Sequence, residues 1–217
     1  MITSAEFHLH LPGILLAYSL LAIGVLSPGP AILAIISTSM ERGRGPGLQL
    51  ALGVVSGSAF WGVSAAIGMS ALLVAYASAL NVIKIIGGCY LLWLSWKSFR
   101  TLVGPSNAAQ LSAGLTQRSP SQMWLAGFLI HLTNPKAILV WIAAIALGVS
   151  ASSPLWVSFA IVIGGLTISI SGNIIYALVF SSKPMAAMYL RAKKPIAAVF
   201  AGFFAFAGFK LITSKIG

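Results

Sequence analysis

The sequence contains no aspartate, and its only carboxylate side chains are Glu6 and Glu41, in 217 residues. Charged residues make up 7% of the chain, against about 25% in an ordinary soluble domain. A chain so poor in charge cannot cover a surface that faces water. Paired carboxylates for hydrolysis are missing, and so is the oxygen cage that a hard cation requires. Cys89 is the single cysteine, which excludes a disulfide framework and a thiolate zinc site. Neither HExxH nor GxSxG occurs, and His8, His10 and His131 form no cluster in sequence; an enzyme, a metal site and a cofactor are therefore not expected.

What remains is apolar. Hydrophobic residues make up 59% of the chain, with a mean hydropathy of +0.99. Crossing a bilayer takes about 20 mostly apolar residues per helix. Long apolar runs at about 11–38, 48–75, 79–99, 121–149, 155–181 and 195–213 fit six transmembrane helices and leave no room for a soluble domain. Long runs without alternation argue against a β-barrel. The first run lacks a basic leader and is too long for a cleavable signal, so it is expected to stay as a helix. The expected class is an all-α integral membrane protein.

The net charge of +11 is a topology signal, not a nucleic-acid patch. Arg42 and Arg44 follow the first run; Lys97, Arg100 and Arg118 flank the third connection; Lys183, Arg191, Lys193 and Lys194 occupy the fifth. The other connections are nearly bare, although Lys84 sits just inside the third run and Lys215 lies on the tail. Basic loops stay in the cytoplasm, which places both termini outside. Trp93, Trp96, Lys97 and Arg100 share a face at the inner end of the third run and read as an interfacial anchor.

The most polar internal stretch, about 101–120, separates two halves of three runs each: 1–100, then 121–217 after a cytoplasmic connector. The first run of each half is interrupted. Ser27-Pro28-Gly29-Pro30 precedes Ala-Ile-Leu in one, and Thr133-Asn134-Pro135-Lys136 precedes Ala-Ile-Leu in the other. Ser95-Trp96-Lys97 and Gly208-Phe209-Lys210 mark similar ends. An odd number of spans per copy inverts one copy relative to the other, and matched Pro/Gly breaks in inverted halves point to a transporter binding site. Proline removes an N–H and clashes with the preceding turn. The freed backbone groups must then face protein or a wet cavity. Each new helix start offers N–H donors and a positive dipole end, suited to a carboxylate. Ser27, Pro28, Gly29, Pro30, Asn134, Pro135 and Lys136 are the candidate substrate-binding residues. Lys136 either meets a substrate carboxylate or caps carbonyls freed by the first break. His131, one turn before Asn134, and Glu41, at the inner mouth, are the candidate proton carriers. Thr167 with Ser171, and Ser169 with Asn173, are i, i+4 pairs read chiefly as helix–helix hydrogen bonding, and Gly53 with Gly57 as a close-packing pair.

The stretches SPGPAILAI (27–35), ERGRGPGLQLALGVVSG (41–57), IGGCYLLWLSWKSFR (86–100) and GFLIHLTNPKAILVW (127–141) resemble, in order and spacing, the lysine exporter / homoserine–threonine resistance (LysE/RhtB) family over essentially the whole length. The resemblance implies export of small amino acids across the bacterial inner membrane, driven by an ion gradient. Family members often carry Asn after PGP and three residues before NPK; this chain has Ala31 and His131 there. With no carboxylate at membrane depth, a neutral amino acid or small zwitterion is expected over a cationic one. A passive pore, an ion or metal permease and a membrane scaffold are the competing readings. The expected partners are the substrate and the lipid bilayer, with no nucleic acid, and a homodimer stays open.

The charge pattern gives a direct test. In a Cys89→Ala background, cysteines at Thr3 and Ser214 should react with an impermeant thiol reagent on intact cells, and one at Asn107 should not. Labelling at Asn107 alone would reverse the orientation.

Overall fold

The structure is a computed structural model that describes residues 4–27, 29–75, 79–103, 119–150 and 152–213. Those residues form eight helices and no strand. They are α1 (Ser4–Leu26), α2 (Pro30–Arg42), α3 (Arg44–Ala75), α4 (Ala79–Val103), α5 (Pro120–Leu132), α6 (Pro135–Gly148), α7 (Leu155–Val179) and α8 (Lys183–Thr213). Most of the expected connector, 104–118, lies outside the described residues.

Segments Glu6–Leu26, Arg44–Gly68, Leu155–Val179 and Lys194–Thr213 are each long and apolar enough to cross a membrane. The pair α5 and α6, bent by 60° at its break, supplies a fifth crossing if taken as one. The expected runs fall on these helices, and the third falls on α4. The main difference is at the start. The first run extends back to Ser4, so α1 alone has 23 residues. Its first turns pack beyond the apolar run: Trp156 Nε1 donates to Glu6 Oε1 over 3.3 Å, and Phe7 stacks on the Trp156 ring.

Local chemistry sets the helix ends. Pro30, Pro120 and Pro135 each open a helix, where a fixed φ helps and the missing N–H would be unpaired anyway. Ser119 and Gln122 form a capping box at α5, satisfying two orphan donors. Between α2 and α3 the chain turns at Gly43 alone, with φ at 83°. A Cβ is unfavourable in that region, so the ERGRGPG segment needs glycine there.

Helix α6 is the centre of the bundle. Val140, Trp141, Ala143, Ala144, Ile145 and Ala146 are buried, and α6 packs against α1, α3 and α4. A helix that is apolar all round belongs inside. Outward, Leu155, Phe159 and Ile163 form an exposed ridge on α7, as do Val199, Phe206 and Phe209 on α8. Hydrocarbon is the solvent that suits such ridges.

Helices in lipid gain little from hydrophobic exclusion and associate through close packing. Here glycine does this work. A Cβ on Gly53 of α3 would run into the Trp124 carbonyl oxygen of α5 and sit 2.7 Å from Phe128 N; one on Gly127 of α5 would strike the Leu50 carbonyl oxygen of α3. Gly57 continues the contact, with His131 Cβ 2.9 Å from its virtual Cβ. The Gly53–Gly57 pair is therefore a packing motif, as read from the sequence. Helices α4 and α8 meet the same way, at Gly88 and Gly208. Among the other contacts, α3 packs against α7, α2 and α6, and α7 against α1 and α2.

Gly53→Ala should sharply reduce the yield of folded protein, because backbone atoms must move and overpacking typically costs about 1–3 kcal/mol. Gly202→Ala, where a Cβ meets nothing within 4 Å, should be silent. Thermal melting of both variants in detergent checks this; equal melting points would refute the backbone-contact account of α3 and α5.

Candidate functional site

The first break opens where α1 ends at Leu26. Ser27 still donates its N–H to Ile23 O over 2.8 Å, and it is buried. Gly29, in extended conformation, is the N-cap of α2 and supplies no side-chain cap. Leu33 N–H reaches Gly29 O at 2.9 Å. Since the first turns of a helix have no internal acceptors, the Ala31 and Ile32 N–H groups point out of the helix start without an intrahelical partner. Pro28 lies outside the described residues.

The second break is built differently. Asn134, buried, caps α6 with its own side chain: Oδ1 accepts the Lys136 N–H over 3.1 Å. Lys136, in the first turn of α6, reaches across to the first break. Its Nζ donates to Ser27 O over 2.9 Å and to Ser27 Oγ. A Cβ on Gly29 would lie 3.4 Å from that Nζ. The two breaks, about half a chain apart in sequence, are thus in contact, and Lys136 caps a freed carbonyl in this conformation. Tyr176 of α7 caps the neighbouring one, donating from its hydroxyl to Leu26 O over 2.8 Å.

Both breaks line one cavity, together with α3 and α7. Gly29, Ala31, Asn134 and Lys136 face it, and His131 joins them from α5. The cavity volume is about 50 Å³, several times the roughly 10–15 Å³ that one water needs. Neither imidazole nitrogen of His131 has a hydrogen-bond partner. Glu41 is exposed near the end of α2 and does not line the cavity. Among the described residues the cavity lining contains a lysine and no carboxylate.

The opposite wall comes from residues that carried little signal in sequence. Trp141 of α6 donates its indole N–H to Ser58 Oγ of α3 over 3.0 Å. Its ring fills the space left by Gly62 and Gly165, whose virtual Cβ atoms would lie 3.0 and 2.6 Å from it. On α7 the four polar residues divide. Ser169 and Asn173 are buried and line the cavity, whereas Thr167 and Ser171 are exposed. The hydrogen bonds of Asn173 run within α7 to Ser169, so the expected helix–helix role is not what this pair does here. Trp141 stood in the broken run and glycines at 62, 164 and 165 stood in its neighbours; that pattern of one large ring against small residues was the available clue.

Sequence comparisons place the chain among membrane translocators. The chain is 27% identical over 200 residues to the threonine efflux protein of Salmonella typhimurium, covering 89% of this chain and 94% of that protein. It is 33% identical over 175 residues to the leucine efflux protein of Enterobacter sp., covering 80% of each. It is also 28% identical over 188 residues to the membrane protein YahN of Escherichia coli, covering 85% and 82%. No solved structure matches. The sequence profile of the LysE type translocators matches residues 22–215, and the chain belongs to that family.

Proposed function

We propose that the protein is a secondary transporter that exports a neutral amino acid or a related small zwitterion from the cytoplasm, coupled to the proton gradient. The observation that carries this reading is the meeting of the two breaks on one cavity that holds a cation and no carboxylate. The substrate carboxylate sits at the start of α2, against the Ala31 and Ile32 N–H groups, with the Lys136 ammonium as its second partner. An uncapped helix start favours an anion, and a half-buried lysine without a carboxylate beside it favours one more. Ser27, Gly29 and Pro30 shape that end, and Asn134 and Pro135 hold Lys136 in place; Pro28 completes the motif in sequence. A lysine or arginine substrate would bring a second positive charge to a site without a counter-charge. Relatives named for threonine and leucine efflux support a neutral substrate.

The architecture is six spans in two inverted halves, with both termini outside the cytoplasm in the bacterial inner membrane. Packing supports the repeat: exchanging the halves turns the α3 contacts with α5 and α6 into the α7 contacts with α1 and α2, and returns α4 with α8 and α3 with α7 to themselves. His131 carries the coupling proton in preference to Glu41, since His131 faces the cavity with both nitrogens unpartnered.

Reconstituted protein should show saturable counterflow of leucine or threonine and little of lysine. Gly29→Ala should keep most of that activity, because its Cβ makes ordinary contact with Lys136. Gly29→Val should abolish it by displacing the ammonium. Counterflow of lysine with leucine and threonine inert would sink the neutral-substrate reading, and unsaturable flux would favour a pore.

Coupling has its own test. His131→Gln should retain counterflow within about threefold yet lose accumulation driven by a pH gradient. A variant that still accumulates substrate against its gradient would clear His131 of the role.

A further inference from the structure

The α7 wall of the cavity holds an unmet acceptor. Asn173 is buried, and its Nδ2 donates to Ser169 O over 2.7 Å and to Ser169 Oγ over 3.3 Å. Those bonds fix which way the amide faces. A flipped amide would set Oδ1 against the Ser169 carbonyl oxygen, two acceptors with no proton between them. With Nδ2 held, Oδ1 is left without a partner. An unpaired buried carbonyl is costly, and such a group in a native structure calls for a reason. The cavity it lines is also the one that holds Lys136 and the α2 helix start.

We infer that Asn173 Oδ1 is the acceptor for the substrate's α-ammonium group, and so the residue that separates amino acids from carboxylic acids lacking the amine. This rests on the export reading above, and adds the second pole of the site. One pole offers donors and positive charge to a carboxylate. The other offers an amide oxygen that can only accept. His131 also faces the cavity, but a neutral imidazole carries one donor and one acceptor nitrogen, so it does not by itself distinguish an ammonium from a hydroxyl. A 2-hydroxy acid presents one proton and no charge where an amino acid presents three protons and a positive charge. The hydrogen bond from the ammonium is charge-assisted and the stronger of the two.

The test uses full-length protein in liposomes, with counterflow of leucine and of its 2-hydroxy analogue measured side by side. Wild type should prefer leucine. Asn173→Leu, close in size and without the acceptor, should lower leucine counterflow at least about tenfold, the size of one hydrogen bond to a charged group, and the hydroxy acid less than twofold. Asn173→Asp keeps an acceptor at the position and should keep the preference for leucine. A structural role for Asn173 would lower both substrates together, and that result, or no change in either, overturns the inference. A collapse of the preference in His131→Gln with Asn173→Leu unaffected would assign the ammonium to His131 instead. If wild type moves the hydroxy acid but never leucine, the export reading itself fails, and the ammonium site with it; that outcome is distinct from a loss confined to the variant. Monodisperse elution and melting of Asn173→Leu show whether it is folded.

Discussion

The site is organised around one ammonium group that has no aspartate anywhere in the chain to meet it. A lysine near the centre of a membrane helix costs roughly 2.5–3.5 kcal/mol on insertion scales. Lys136 meets a backbone oxygen that a continuous helix would not expose. The carbonyl of Ser27 is available because α1 stops there, and the Ser27 hydroxyl adds to it. The break and the lysine therefore need each other. Without the break the ammonium would lose an acceptor, and without the ammonium the Ser27 carbonyl would lose a donor. Leu26 O, one residue earlier, finds Tyr176. Backbone freed by proline at membrane depth must find partners in protein or water, and here named side chains from two other helices supply them.

That arrangement requires α1, α6 and α7 to be held in register without a large apolar driving force. Glycine provides the means. The α3 and α5 backbones touch at Gly53 and Gly127, and α4 and α8 at Gly88 and Gly208. Trp141 then fits against Gly62 on one side and Gly165 on the other. Small residues in lipid bring helices close enough for dispersion to hold them. Gly57 places α3 against His131, so the same packing that fixes α5 also sets the imidazole at the cavity.

Much of this was legible in the residues. The paired breaks marked where backbone is released, and the structure brings them into contact through Lys136 and Ser27. The two roles open to Lys136 were also visible, and the capping one is what this conformation adopts. The face of α7 was not legible. Thr167 and Ser171 have the same i, i+4 spacing as Ser169 and Asn173, and residues two apart on a helix point in widely different directions. Nothing in the local sequence decides which pair turns inward; the neighbours of α7 do. The reach of α1 back to Ser4 was hidden as well, because its first turns are held by Glu6 and Phe7 against Trp156, a contact across most of the chain.

The two breaks are alike in sequence and unlike in chemistry. Asn134 closes the start of α6 with its own side chain, which satisfies one donor and leaves less of that helix end for a ligand. Gly29 leaves the start of α2 without a side-chain cap. The half with the capped helix contributes the lysine, and the half with the uncapped helix contributes the open donors. Two identical breaks would place two anion sites side by side and hold nothing that accepts a proton. On the proposed reading, the uncapped start of α2 with Lys136 is the donor end of the cavity, and Asn173 on the α7 wall is the acceptor end. A zwitterion has that same polarity, with one charge of each sign joined by a single carbon. On the export proposal, such a site would meet the carboxylate with donors and the ammonium with a neutral acceptor, so binding would need no carboxylate from the chain.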